Sequence, residues 1–322
     1  MTNKIAFVTG AEGFVGSHLV RFLTEQRWRV VAGHFAHEPN VQGSPNMEFA
    51  FCDLRNSAQV HNVIRQHQPT HVFHLGAQSL PTKSWDDPVT TFESNIMGSL
   101  HLFEALRRMK SPAVVVSACS SAEYGHVPAS AIPVKEYQPL HPLHPYGISK
   151  VCLDLLAREY FLDYKIPAVN IRLFNTTGPG KTGDAASDFV RQLAAIKQGE
   201  QPPVIEVGNL NPHRALLDVH DAVRAFYLAA MKGKRGEAYN VCAAKTYEMR
   251  AVLETAIKLA RVKVQIKPVE RLMRPSDEKI IFGSTAKIRK HTGWKPAVSL
   301  QQTLQSMLDY WETPKVTASH VG

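Results

Sequence analysis

The 322-residue chain is 44% hydrophobic and 20% charged, with a net charge of +9, a balance that suits a soluble globular protein of about two domains. No Lys/Arg block reaches the length of a nucleic-acid tail, the densest being Lys232-Gly233-Lys234-Arg235, so the diffuse positive excess fits an anionic small molecule at least as well as a nucleic acid. The four cysteines (Cys52, Cys119, Cys152, Cys242) form no Cys-x-x-Cys and indicate neither a disulfide framework nor a zinc site; the N-terminal apolar run is too short for a signal peptide and no run is long enough to span a membrane, which leaves a reduced cytoplasm as the expected location.

Lys4 to Thr9 reads as a short buried strand. It runs into Gly10-Ala11-Glu12-Gly13-Phe14-Val15-Gly16 and an amphipathic helix with Leu19, Val20, Phe22 and Leu23 on its apolar side. Strand, glycine-rich turn and helix form the setting of a dinucleotide site. The glycines permit a tight turn, admit a pyrophosphate and let helix and strand approach. The helix N-terminus offers free N–H groups and a positive dipole end to that pyrophosphate. The Gly-x-x-Gly-x-x-Gly spacing only approximates the standard Gly-x-Gly-x-x-Gly. Arg29 to His34 reads as the second strand. An NAD site often has an Asp or Glu at this strand's end for the ribose hydroxyls. Here the end reads Gly33-His34-Phe35-Ala36-His37, and Glu38 falls late, before Pro39. A carboxylate would repel a 2′-phosphate, so its absence favours NADP, with NAD as the alternative. His34 or His37 could contact the phosphate, or simply face solvent.

Glu48 to Cys52 reads as a third strand ending at Asp53-Leu54, followed by a helix from Ser57 to Gln66. Thr70 to Leu75 is a fourth strand, leading into Gly76-Ala77-Gln78-Ser79. His71 and His74 are three apart on a strand, so they face opposite sides and read as structural rather than as a metal pair. Thr90 to Met109 reads as one long helix containing Asn95 and Gly98. Ala113 to Ala118 is a nearly all-apolar fifth strand, as a central parallel strand should be. It delivers Ser120 and Ser121 at its C-terminal end, where ligands bind in doubly wound sheets.

A loop rich in Pro and His, Pro128 to Pro145, leads to Tyr146-Gly147-Ile148-Ser149-Lys150, where alone among the nine tyrosines one has a lysine four residues later. At a helix start such residues share a face. An ammonium beside a phenol stabilises the phenolate and lowers the tyrosine pKa. A tyrosine so tuned exchanges a proton with a substrate hydroxyl or carbonyl near neutral pH. The same spacing also suits a plain amphipathic helix face. Ala168 to Phe174 reads as a sixth strand ending at Asn175. Gly178-Pro179-Gly180-Lys181-Thr182 looks like a Walker A tail, but Asn175 stands where that loop needs a glycine, and a proline lies inside it, so an NTPase is rejected. Arg214, Asp218 and Asp221 lie between Gly208 and a helix from Ala222 to Met231. Tyr239 to Cys242 is a last strand, Arg274-Pro275-Ser276-Asp277 a polar turn, and Leu300, Leu304, Leu308 and Trp311 mark a C-terminal amphipathic helix before a tail expected to be disordered after Pro314. The alternation of strands and helices predicts an α/β fold, a doubly wound parallel sheet with helices on both faces.

The order of these motifs resembles the extended short-chain dehydrogenases/reductases, over residues 4 to 312. The resemblance implies a Rossmann dinucleotide-binding domain over 1-173 with a return segment at about 213-242. It also implies a smaller C-terminal α/β nucleotide-sugar-binding domain from 174-212 and 243-314, and a tail at 315-322. It carries the family's catalytic set onto Ser120, Tyr146 and Lys150. Cofactor contacts fall on Gly10, Gly13, Phe14, Val15, Gly16, His34, Asp53, Leu54, Leu75, Ala77, Ser79 and Asn95, besides Tyr146 and Lys150. The later half is similar to the nucleotide-sugar branch, and most to members that use GDP-sugars, the 4,6-dehydratases and the 4-keto-6-deoxy-mannose reductases. The matching stretches are Arg172-Leu173-Phe174-Asn175, Gly178-Pro179-Gly180, Val207-Gly208-Asn209-Leu210, Arg274-Pro275-Ser276-Asp277 and Gly293-Trp294-Lys295-Pro296. Arg214 and Arg274 together suit a diphosphate, since each offers a planar fork of donors. Ser121, Glu123, Asn175 and Asp277 complete the expected substrate contacts.

Two departures narrow the expectation. Related dehydratases carry a glutamate two residues before the Tyr-Gly tyrosine, as the acid or base for water elimination; this chain has Ala122 there, and a methyl group moves no proton. The family's Arg-Asp also reads Arg214-Ala215 here. The resemblance then implies NADP(H)-dependent reduction of the 4-keto group of a GDP-linked 4-keto-6-deoxy hexose. The expected form is a homodimer packed through the Asn95 and Tyr146 helices, with no nucleic acid, membrane or metal involved. The alternatives are a nucleotide-sugar 4-epimerase or a GDP-mannose 4,6-dehydratase with tightly bound cofactor, or a non-catalytic dinucleotide-sensing protein on the same fold.

Overall fold

Side-chain alternation along the first strand decides the layering. β1 (Ile5–Thr9) sends Ala6 and Val8 to one face and Phe7 to the other, and all three are fully buried, as a strand covered on both sides requires. The computed structural model describes residues 4–36, 44–273 and 282–313. After α1 (Phe14–Glu25) come β2 (Arg29–His34), β3 (Met47–Phe51), α2 (Ser57–His67), β4 (His71–His74), β5 (Val114–Ser120) and β6 (Ala168–Leu173). With the strand Ala238–Val241 these form one seven-stranded sheet, all parallel, in the order β3-β2-β1-β4-β5-β6-(Ala238–Val241). The doubly wound sheet expected from the sequence is present. Its order reverses between β1 and β4, and ligands bind at the carboxyl ends of the strands beside such a reversal.

Helices cover both faces. Leu19, Val20 and Leu23 of α1 join Ala6, Val8, Trp28 and Phe226 on one side. Val60 and Ile64 of α2 join Phe7, Leu102, Phe103, Leu106, Leu153 and Ala157 on the other. Each fully buried Val, Leu, Ile or Phe among them contributes about 1.5–3 kcal/mol. A third cluster lies apart from the sheet. Phe189, Val190 and Leu193 from the helix Ala185–Lys197, Val252 and Leu253 from Met249–Ala260, and Leu304, Met307 and Leu308 from Leu300–Glu312 pack on Ile205 and Val207. The strand holding Ile205, Val204–Val207, pairs in parallel with Gln265–Pro268. This smaller lobe is tied to the sheet by two-residue ladders, Thr176–Thr177 with Leu217–Asp218 and, within the lobe edge, His213–Arg214 with Tyr247–Glu248.

One element differs from its sequence reading. The long helix expected from Thr90 to Met109 runs from Pro88, but a π turn over Glu93–Met97 interrupts it before the regular helix Gly98–Arg108. Such turns are frequent at functional sites, and this one carries Asn95. All four cysteines are free thiols. Among the described residues no helix is long and apolar enough to cross a membrane.

Candidate active site

The carboxyl ends of the strands open into a single cavity of about 1450 Å³. A site for one drug-sized ligand is typically about 300–1,000 Å³, so this one has room for two sizeable molecules. The glycine-rich turn forms its floor. Gly10 has φ +65°, and a Cβ there would lie 2.7 Å from the Gly76 Cα, so the turn tolerates no side chain at that point. Gly13 caps α1 without any side-chain hydrogen bond, which leaves the first N–H groups of the helix facing the cavity.

Thr9 fastens the neighbouring loop. Its Oγ1 accepts from the N–H groups of Leu75 (3.1 Å) and Gly76 (2.9 Å) and is bonded to His74 Nδ1 at 2.9 Å. His74 Nε2 is bonded in turn to Ser99 Oγ at 2.9 Å. Burial, helped by the Lys150 charge, pushes the His74 pKa down to about 3, so the ring is neutral and bridges two hydroxyls. His71, on the opposite face, packs edge-on against Trp28 and is pushed down by burial to about 4. Both histidines are structural, as their strand spacing suggested.

The Tyr146 helix spans Pro145–Tyr164. Pro145 occupies its first turn and His144 caps it, with Nδ1 accepting from Gly147 N–H at 3.0 Å. The His144 and Tyr146 rings stack with centroids 5.9 Å apart. Lys150 is buried one turn on, donating from Nζ to the Ala118 carbonyl at 2.8 Å, with Nζ 5.8 Å from the Tyr146 ring centroid. The Ser120 side chain lies close enough to the Tyr146 hydroxyl to favour its phenolate. Serine, tyrosine and lysine therefore come together at the end of β5. The expected electrostatics differ in one respect. Burial outweighs the influence of Ser120 and raises the Tyr146 pKa to about 12, so the phenol stays protonated at neutral pH.

Gly10, Gly13, Phe14, Val15, Gly16, His34, Asp53, Leu54, Leu75, Ala77, Ser79, Ser120, Ser121, Tyr146, Lys150, Asn175 and Arg214 all line this cavity. Two expected contacts do not. Asn95 is buried in the π turn: its amide accepts from Gln78 N–H (2.7 Å) and donates to Gln78 O (3.0 Å) and to Ser149 Oγ (2.9 Å). It ties the Ala77–Ser79 loop to the Tyr146 helix instead of touching a ligand. Glu123 is also a correction. A 3₁₀ turn over Ser121–Glu123 rotates it into the protein, where it is fully buried and accepts from Ser120 N–H at 2.8 Å. Behind it Arg172 Nε lies 2.8 Å from Asp154 Oδ2 and 3.2 Å from Glu123 Oε2. Arg172 also donates to Tyr124 Oη (2.9 Å), which donates to Asn240 Oδ1 (2.7 Å). Burial, then the Asp154 charge, lifts the Glu123 carboxyl well above the usual range. Arg274 and Asp277 lie outside the described residues, as does His37.

Three charged cavity residues were not among the expected contacts. Glu12 and Arg55 lie at the β2–β3 end. Lys181, from the rejected Walker-like loop, stands with Nζ 5.3 Å from the Phe14 ring centroid. That loop is tied to α1 by His18 Nε2 on the Pro179 carbonyl at 2.9 Å. The basic residue after Gly-Pro-Gly was the available signal for Lys181; the other two depend on tertiary approach.

The model of the family described as GDP-mannose 4,6 dehydratase matches residues 7–307. The GDP-6-deoxy-D-mannose reductase of Pseudomonas aeruginosa is 29% identical over 314 residues, 97% of this chain and 98% of that protein. A GDP-mannose 4,6-dehydratase of Vibrio cholerae is 26% identical, covering 96% of this chain and 93% of its own length. Among solved structures, RMD from Pseudomonas aeruginosa complexed with NADPH is 30% identical with a TM-score of 0.84, covering 96% of this chain and 99% of that one. The UDP-glucose 4-epimerase of Thermus thermophilus in complex with NAD is 28% identical with a TM-score of 0.83, covering 95% and 98%. With a seven-stranded Rossmann sheet, a serine–tyrosine–lysine set at its carboxyl edge and a match over nearly the whole length, the chain belongs to the GDP-mannose 4,6 dehydratase family of the extended short-chain dehydrogenases/reductases.

Proposed function

We propose that the chain is an NADP(H)-dependent reductase acting on the 4-keto group of a GDP-linked 4-keto-6-deoxy hexose. The observation that carries this reading is the placement of acids. Among the described residues lining the cavity, only Glu12 and Asp53 bear carboxylates, both at the β2–β3 end away from Tyr146. Beside Ser120 stands Ala122, and Glu123 is turned into the protein. Eliminating water needs a second proton-moving group near the sugar, whereas reducing a carbonyl needs one acid at one oxygen. A phenol with a pKa near 12 suits that acid role, because the alkoxide formed is the stronger base.

The residues fit a dinucleotide. The uncapped N–H groups of α1 suit a pyrophosphate, the glycines leave its backbone open, and the His34 Nδ1 is buried at the β2 end without a partner. A bound nicotinamide supplies the hydride. Tyr146 then gives its proton to the C4 oxygen, and Ser120 hydrogen-bonds the same atom. Lys150, fixed on Ala118 and with its pKa lowered by burial, places its ammonium beside the phenol as it turns into phenolate, the kind of preorganised aid that is usually the largest single term. Lys181, Arg214 and Asn175 face the remainder of the cavity, where two cations suit a nucleoside diphosphate. The reductase name of the Pseudomonas aeruginosa relative and the NADPH in its namesake structure support the reading.

The test is to mix the protein with NADPH and GDP-4-keto-6-deoxy-mannose, follow the nicotinamide absorbance and weigh the product. Oxidation matched by a two-hydrogen gain in the sugar is expected. A rearranged or dehydrated sugar with no net NADPH loss would replace the reductase by an epimerase or dehydratase.

The same reading includes a homodimer. The Tyr146 helix buries Leu153, Ala157 and Tyr160, yet leaves Leu155 (54%) and Leu162 (51%) exposed on its other side. A helix apolar on opposite faces expects cover on both. Light scattering should give twice the chain mass, and Leu155→Glu should halve it; a wild-type monomer at micromolar concentration would remove this part.

A further inference from the structure

The helix that carries Tyr146 and Lys150 begins on a histidine. An N-cap position ordinarily takes Ser, Thr, Asp or Asn, whose short oxygen reaches the first free N–H groups. Here the His144 ring takes that place, and its Nδ1 accepts the N–H of Gly147 at 3.0 Å. That bond decides the tautomer. An Nδ1 that accepts carries no proton, so the neutral ring holds its proton on Nε2, at the edge away from the helix turn. Burial lowers the His144 pKa below the ordinary 6.5, which keeps the ring neutral at neutral pH. The ring is half-buried, lines the cavity and stacks on Tyr146 with centroids 5.9 Å apart and planes 21° from parallel. A ring so held is a donor and not a base. Taking a second proton on Nδ1 would break the cap and set a cation at the positive end of the helix dipole.

We propose that His144 is a specificity-determining residue of the reaction, its Nε2–H donating a hydrogen bond to the sugar hydroxyl at C3. The inference rests on the reductase reading, in which Tyr146 and Ser120 hold the C4 oxygen. C4 of a 4-keto-6-deoxy hexose has one ring neighbour on each side. C5 bears a methyl group and no hydroxyl, so the hydroxyl at C3 is the only one adjacent to the reacting carbonyl. A donor stacked on the ring of the acid meets C3 when C4 faces the phenol. The cap fixes how the imidazole is turned, and the same helix turn holds Tyr146, so donor and acid keep one spacing. A sugar without the C3 hydroxyl leaves the Nε2–H unpaired, and a site built around such a donor rejects it.

Turnover of GDP-4-keto-6-deoxy-mannose and of its 3-deoxy analogue by the full chain with NADPH tests this. His144→Ser keeps an oxygen for the Gly147 N–H but is too short to reach a sugar, so its thermal midpoint should stay close to that of the wild type. The wild type is expected to show a kcat/KM about tenfold higher for the hydroxylated sugar than for the analogue. The serine variant should lose about tenfold on the hydroxylated sugar and little on the analogue, and so treat the two alike. His144→Thr, a second capping side chain, should repeat the pattern and guards against a folding defect in the serine variant. Equal losses on both sugars would mean that the ring serves only the helix and Tyr146, and would overturn the contact at C3. Unchanged kcat/KM for the hydroxylated sugar in both variants overturns it too, with the reductase reading left standing. If the wild type oxidises no NADPH with either sugar, the reductase reading falls and this inference with it.

Discussion

The sheet half and the smaller lobe handle polar groups in opposite ways. Behind β4 and β5 the polar groups are buried and joined, through Thr9, His74, Ser99, Asn95 and Ser149 on one path and Glu123, Arg172, Asp154, Tyr124 and Asn240 on another. The lobe keeps an apolar core of Phe189, Leu193, Ile205, Leu253 and Leu304, and offers Lys181 and Arg214 to the cavity from a glycine-bearing loop and a two-residue strand. Buried networks fix geometry at the cost of demanding that every member be satisfied. Loops and short strands at a cavity rim can change without disturbing a core. On the proposed reading, chemistry is held on the rigid side and substrate choice on the adjustable side.

Substitutions can break or sharpen that contrast. Tyr146→Phe should lower kcat by about 10²–10⁴-fold, the usual worth of a positioned acid, and leave dinucleotide affinity within a few-fold; retained turnover in steady-state assays would take Tyr146 out of its role. Arg172→Met strips the paired cation from the Asp154 and Glu123 carboxyls and should cost about 3–5 kcal/mol in urea unfolding, since an unpaired buried charge remains. Lys181→Ala, on the lobe side, should raise the KM for the sugar nucleotide by about tenfold with kcat nearly unchanged. A matching fall in kcat would show that the rim too holds the reacting atoms. The mildest effect is in pH. His74 and His71 have folded pKa values of about 3 and about 4, below the ordinary 6.5 of an unfolded histidine. Their contribution is complete above about pH 6.5 and is lost as the pH falls toward the folded values, because the unfolded chain binds protons there that the fold excludes. Thermal melts from pH 7 down to pH 5 should decline, and His74→Asn should flatten that decline.

Most of the sheet was legible because apolar strands and glycine turns are local signals. The serine, tyrosine and lysine were legible by their order along the chain. Three features were not. The π turn at Glu93–Met97 adds a residue to one turn, which a 3.6-residue pattern cannot register; Asn95 came among the cofactor contacts through the resemblance, and the structure joins it to Gln78 and Ser149. Glu123 was expected among the substrate contacts; a 3₁₀ turn begins as soon as β5 ends, and strand alternation stops deciding direction there. Glu12 reaches a segment 23 residues away, which no local pattern records.

The Asn95 amide has a further implication for how such a site can diversify. It bolts the Ala77–Ser79 loop to the Tyr146 helix, so these two walls of the cavity shift as one body. On the proposed reading, new sugars are accommodated by re-lining the lobe around Lys181 and Arg214, while the placement of Tyr146 against the dinucleotide wall is inherited unchanged.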